Sequence, residues 1–115
     1  MGGRWEEAFR MHLRHMAMEG QLGADIVAVG PFWTAADDPR KIDAVVLAGR
    51  SREAVLVGEA KWARKVSGTR IRRELERKSS ALPRDREDLR FVVCAREHVD
   101  GSEDLLVVTA EDIFG

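Results

Sequence analysis

Two apolar segments joined by a short polar turn, "KIDAVVLAG" from Lys41 and "AVLVGEAKW" from Ala54, leave this chain few folds to choose from. Both are rich in valine and small residues, the character of buried strands, and both are interrupted by charge where a buried strand has none. Asp43 breaks the first near its start, and Glu59 and Lys61 break the second at its end. In an antiparallel hairpin turning near Ser51, Leu47 faces Val55, Val45 faces Val57 and Asp43 faces Glu59. Side chains alternate along a strand, so Asp43, Val45 and Leu47 share a face with Val55, Val57, Glu59 and Lys61. A slip of one residue would part the two acids, so the charges themselves select the register. Two carboxylates directly across a sheet repel each other, and a cation between them removes the conflict.

The rest of the chain supplies a frame for that hairpin. "RWEEAFRMHLRHMAMEG" predicts a helix ending at Gly20, with Trp5, Ala8, Phe9, Leu13, Met16 and Ala17 on one stripe. Glu6 falls on the edge of the stripe, Glu7 points away, and Met11 and Met18 lie on the outer side. "ADIVAVGPFW" predicts a short strand that ends at Gly30-Pro31, followed by the polar loop "TAADDPRK". "SGTRIRRELERKSSAL" predicts a helix capped by Ser67 or Thr69, with a narrow apolar seam of Ile71, Leu75 and Leu82. After the loop "PRDRED", "LRFVVCA" and "LLVVTA" predict two further strands about the turn "EHVDGSED", and "EDIFG" closes with one helical turn. The order αβββαββ fits one α/β domain over 1–115, with helices on both faces of a mixed five-stranded sheet. A helix between the third and fourth strands calls for a right-handed parallel crossover, while the short connections elsewhere favour antiparallel neighbours.

Charge is close to balanced, at −1 over 115 residues, which argues against a non-specific polyanion binder, but it is unevenly spread. Between Lys61 and Lys78 eight basic residues stand against Glu74 and Glu76; from Arg96 onward six acids stand against that one arginine. Such polarity steers an anionic partner. The basic residues Arg64, Lys65, Arg70, Arg72, Arg73, Arg77 and Lys78 are therefore candidates for phosphate-backbone contact, the plainer alternative being a solvated face with local ion pairs. The single Cys94 sits in an apolar run, where a buried free thiol suits a reducing cytosol. No apolar run approaches membrane-spanning length and the opening residues lack a signal-peptide core, so a cytoplasmic location and no membrane partner are expected. His12, His15 and Glu19 have a spacing that can bind zinc, but with no fourth ligand a surface cluster is expected. Trp62 can pack the edge of the site or stack on a base, and packing is the simpler role.

Mg²⁺ prefers oxygen ligands in octahedral array, often one or two carboxylates with waters and substrate phosphate. Asp43, Glu59 and the carbonyl of Ala60 can hold one such ion, or Mn²⁺ in its place. Lys61 on the same face would orient or help deprotonate a water and stabilise charge growing on phosphorus. Glu6, brought by the first helix, can hold the ion's water or a second ion.

The acid, the spacer and the triplet Glu59-Ala60-Lys61 resemble the signature of the PD-(D/E)XK, or restriction-endonuclease-like, nuclease superfamily. Glu6 matches a glutamate that many of its members carry in the first helix. More narrowly, "KIDAVVLAG…AVLVGEAKW", "RWEEAF" and "VVTAEDIF" resemble the C-terminal nuclease-like domain of archaeal-type and bacterial ATPases of unknown function. Lys41 departs from that pattern, standing where glutamate is usual and bringing positive charge toward the metal position. The resemblance implies a three-layer α/β/α fold, metal-dependent hydrolysis of phosphodiester bonds in nucleic acid, DNA first, and an ATPase domain or chain as partner. Catalytic roles would fall to Asp43, Glu59 and Lys61, and metal binding to Asp43, Glu59, Ala60 and Glu6. A homodimer is a further expectation, by analogy with small nucleases of this fold. The alternative is a non-catalytic module that keeps the fold and binds DNA or docks onto an ATPase. No GxxxxGK[ST] phosphate loop is present, so ATP hydrolysis would belong to another segment or chain.

Overall fold

The computed structural model describes residues 2–33, 41–81, 89–101 and 103–115. The loops expected over 34–40 and 83–88, and Leu82 of the helix seam, lie outside the described residues.

Helix α1 spans Gly2–Met18 and buries Trp5, Phe9 and Leu13, spaced so that one side of the helix meets the sheet. It ends where Gly20 takes φ 79, with Gly20 N–H donating to the Ala17 carbonyl and Gln21 N–H to that of Met16. Arg14 donates to the Val29 carbonyl at 3.0 Å and Arg10 to the Asp43 carbonyl at 2.8 Å, pinning the helix across two strands. Strands β1 (Ile26–Trp33), β2 (Lys41–Ala48) and β3 (Glu53–Ala60) form an antiparallel meander. A short β4 (Lys65–Ser67) leads into α2 (Gly68–Lys78), which a 3₁₀ turn (Ser79–Ala81) extends. Then follow β5 (Arg90–Ala95), β6 (His98–Asp100), β7 (Leu106–Thr109) and α3 (Ala110–Phe114). The main sheet is mixed and five-stranded, in the order β1-β2-β3-β5-β7, with β3, β5 and β7 mutually parallel.

Two apolar cores lie on opposite faces of this sheet. On one, Trp5, Phe9 and Leu13 of α1 pack on Ala44, Val46, Leu56, Val92 and Cys94. On the other, Ile71 and Leu75 of α2 pack on Ile42, Val45, Val57, Phe91 and Val93. Each fully buried Phe or Leu contributes about 1.5–3 kcal/mol from its removal from water. The glycine of "VGEAKW" belongs to the first core. A Cβ on Gly58 would stand 2.4 Å from Val92 Cγ1 and 2.8 Å from the Phe9 ring, so only glycine lets α1 come this close to β3. No helix among the described residues is long and apolar enough to cross a membrane.

The structure departs from the sequence expectations in four places. Strand β1 does not stop at Gly30-Pro31 but runs on to Trp33. It is an edge strand, where proline leaves no ladder bond unmade, and its pairing with β2 shifts register beside Pro31. Leu47 pairs with Ala54 rather than Val55, because a bulge lies between Val46 and Leu47 in the β2–β3 register. Val55 consequently packs with the α1-side core and leaves the face assigned to it. β5 and β7 are parallel neighbours, not antiparallel ones. The segment between them makes this possible by leaving the main sheet as β6, which pairs in parallel with β4 in a two-stranded sheet that replaces the expected turn. Gly68 sits where β4 and α2 meet β6, with space for no side chain: a Cβ there would lie 2.7 Å from the Asp100 carbonyl oxygen.

Candidate metal and nucleic-acid site

The β2–β3 hairpin sets its two acids at the same end of the sheet. Val45 pairs with Val57 and Ala44 with Gly58, and the same register continued one residue sets Asp43 opposite Glu59. A second irregularity affects this end. On β1, Gly30 faces Val45 and Phe32 faces Ile42, so Asp43 and Ala44 together stand against Pro31. Bulges of this kind re-aim a side chain, and strict alternation fails here: Ile42 and Val45 both pack on the α2 side.

Both acids are buried, Asp43 to 7% and Glu59 to 5% relative exposure. Asp43 Oδ2 accepts the Ala60 N–H at 2.9 Å, and its Oδ1 lies 3.8 Å from Lys41 Nζ. Burial pushes the Asp43 carboxyl above the usual carboxylate range; the Ala60 N–H pulls it down, the Glu6 and Glu59 charges push it up, and Lys41 pulls it down. Glu59 Oε1 takes Lys78 Nζ at 3.1 Å and Lys61 Nζ at 3.8 Å. Its other oxygen, Oε2, is buried and has no hydrogen-bond partner among the described residues.

Glu6 does not complete a three-carboxylate group. It reaches the same region but is ion-paired and hydrogen-bonded to Lys41, whose ammonium lies between α1 and Asp43. Among the described residues no three His, Cys, Asp or Glu side chains converge closely enough to hold a metal. The donors a cation would meet are therefore the Asp43 carboxylate and the orphaned Glu59 oxygen, with Ala60 at the same strand end. An unpartnered buried carboxylate oxygen is costly, and a divalent ion would relieve it. Two carboxylates with water are a sufficient protein contribution for Mg²⁺ or Mn²⁺, and Asp43 and Glu59 are the two acids at this strand end, with Lys41 as an internal competitor for Asp43.

The basic residues divide into two groups. Lys61, Lys65 and Arg70 line one cavity of about 390 Å³ at the start of α2, together with Ser67, Ile71 and Glu74. Ser67 caps the helix by accepting the Arg70 N–H at 3.3 Å, leaving a helix N-terminus and three cations around the hollow. Many of these charges also have local partners. Arg64 pairs with Glu97 at 2.8 Å, Lys65 with Asp100 at 3.2 Å and Arg70 with Glu74 at 3.8 Å; Arg72 pairs with Glu76 at 3.3 Å and Asp104 at 3.6 Å. Arg73 and Arg77 are exposed, with no ion pair among the described residues. Lys78 does not belong to this surface, since its side chain turns inward onto Glu59. Its position carried the signal: it lies seven residues after Ile71 and three after Leu75, on the apolar seam. Nothing in the sequence marks Arg10, which holds the Asp43 backbone. No local pattern announces a long-range bond from a helix arginine to a strand carbonyl.

The model of a protein family described as archaea bacterial proteins of unknown function (DUF234) matches residues 1–77. The chain belongs to this family. The region that defines membership runs from α1 into the last turn of α2 and includes Glu6, Lys41, Asp43, Glu59 and Lys61, but stops one residue short of Lys78. No curated protein and no solved structure matches the chain.

Proposed function

We propose that this family member is a PD-(D/E)XK-type, restriction-endonuclease-like domain that hydrolyses phosphodiester bonds in nucleic acid, DNA first, with Mg²⁺ or Mn²⁺. The observation that supports it best is the buried Glu59 oxygen without a partner, on the strand next to a second buried acid and beside Lys61. Asp43 and Glu59 would hold the ion with the Ala60 carbonyl. A bound divalent ion supplies Lewis-acid polarisation of the phosphoryl oxygen and a more acidic water. Lys61, half-exposed and held near Glu59, would orient the attacking water and offset charge on the phosphoryl oxygens. The hollow at the start of α2 would take a neighbouring phosphate through Lys61, Lys65 and Arg70. The test is cleavage of a panel of single-stranded, duplex and branched DNA and RNA with Mn²⁺ or Mg²⁺. Glu59→Gln is expected to lower the rate by more than the roughly 10- to 100-fold typical of losing an outer-shell partner.

One observation favours a second reading. Lys41 already provides a positive charge between Glu6 and Asp43, as an internal substitute for a metal would. A non-catalytic module that binds DNA or docks onto an ATPase domain would keep this arrangement. It would show no metal-dependent rise in melting temperature and no cleavage, while DNA binding survives Glu59→Gln and falls in the Arg73→Ala, Arg77→Ala double variant.

A further inference from the structure

The end of β3 has a second hollow, on the side away from the basic one. It measures about 240 Å³ and is lined by Arg4, Trp5, Trp62 and Phe114. Trp62 meets Trp5 edge-on, with ring centroids 4.6 Å apart and planes at 70°, and Phe114 lies 6.1 Å from Trp5. Two of these rings are spent on solvent: Trp62 is 52% exposed and Phe114 68%. Exposed rings gathered beside one hollow are a feature of ligand-binding grooves. Two arginines stand at this hollow. Arg4 lines it, and the Arg96 guanidinium lies 5.5 Å from the Trp62 ring centre. The Trp5 indole N–H is buried and finds no acceptor among the described residues. Position ties the hollow to the site, because Trp5 precedes Glu6 on α1 and Trp62 follows Lys61 on the segment leaving β3.

We propose that this hollow is a base-stacking subsite, which seats a nucleobase flanking the phosphate bound at the β3 end. The inference rests on the nucleic-acid reading above, but not on cleavage. Exposed aromatic rings with arginine beside them are what a nucleobase needs: its π-face stacks on any such ring, whatever the sequence. Arg4 and the Arg96 guanidinium beside the rings also suit the phosphates on either side of a base, which the apolar side chain of a protein partner lacks. A nucleobase is therefore the better-matched occupant.

The test measures binding of two fluorescently labelled single-stranded oligodeoxynucleotides of equal length in EDTA, one of ordinary bases and one abasic. Removing metal separates base recognition from the carboxylate site. Trp62→Ala is expected to weaken binding of the ordinary strand by about 5- to 100-fold, from the loss of one stacked base, and to leave the abasic strand unchanged. Trp62→Phe is expected to keep most of the affinity. Should Trp62→Ala unfold the chain, Phe114→Leu provides the same comparison. Equal weakening of both strands, or none of either, overturns the subsite; the second result is what a hollow made for a protein side chain would give. Base-dependent binding in EDTA, together with no cleavage in the separate Mn²⁺ or Mg²⁺ panel, would leave this subsite standing and remove the hydrolase reading. Cleavage without base dependence would do the opposite.

Discussion

Asp43 and Glu59 are equally buried acids at the same end of neighbouring strands, yet the protein treats them differently. Glu59 is charge-compensated from α2, where Lys78 reaches it at 3.1 Å through an ammonium that is itself largely covered. Asp43 is held from α1 and β3 mostly through backbone, by the Ala60 N–H to its carboxylate and by Arg10 to its own carbonyl, with Lys41 only at 3.8 Å. One acid carries a nearly complete ion pair and one spare oxygen. The other keeps an unfavourable charge that its surroundings push toward protonation. The pair thus combines an anchor with a group that gains the most from an added cation.

The largest break in that comparison should come from Lys78. Removing one partner of a buried pair strands the other, at about 3–5 kcal/mol, so Lys78→Met should destabilise the chain severely in a denaturant melt. Lys41→Met should cost far less, because its partner Glu6 is partly exposed and can turn to water. It should also tighten Mn²⁺ binding, measured by calorimetry, by removing the internal competitor. If the two lysine variants prove equally destabilising, the asymmetry between the acids is wrong.

Asp43→Asn sharpens the contrast from the other side. The amide oxygen can still accept the Ala60 N–H, so the change chiefly removes charge. Because the folded-state pKa of Asp43 is raised, its favourable contribution is complete below the ordinary value of 3.8 and is lost as pH rises through the raised one. The metal-free variant should therefore melt a few degrees above the parent at pH 7, with the advantage shrinking as pH falls toward 4. Adding Mg²⁺ should raise the melting temperature of the parent and not that of the variant.

The hairpin and its acids were legible in the sequence because they depend on local alternation and on charge placed where none belongs. The bulges beside Asp43 and Val55 were not, since a one-residue irregularity leaves no compositional trace. The β4–β6 pair escaped for a different reason. Its strands are three residues each and 30 residues apart, so "KVS" and "HVD" carry too little pattern to separate them from a cap and a turn. At the site, Glu59-Ala60-Lys61 announced itself, whereas the inward turn of Lys78 was hidden by its basic neighbours. Lys78 carries the same charge as its neighbours, but its place on the seam of Ile71 and Leu75 determines where it points.

The smallest expected effect uses Cys94 as a reporter on the Asp43 side. It lies fully buried in the α1-side core, and its carbonyl accepts the Lys61 N–H at 2.8 Å, so exposing its thiol requires the end of β3 to separate from β5. Burial first, then the Asp112 and Asp43 charges, push the thiol up to about 12. At pH 8 the folded chain should therefore react with iodoacetamide only through opening, at a rate set by the equilibrium for exposing this strand. Lys78→Met, which loosens the α2 side, should speed labelling in proportion to the stability it loses if the sheet opens as one unit. Labelling that stays slow while the chain melts early would show instead that the two faces open separately, with the α1 side holding Asp43 in place after the anchor of Glu59 is gone.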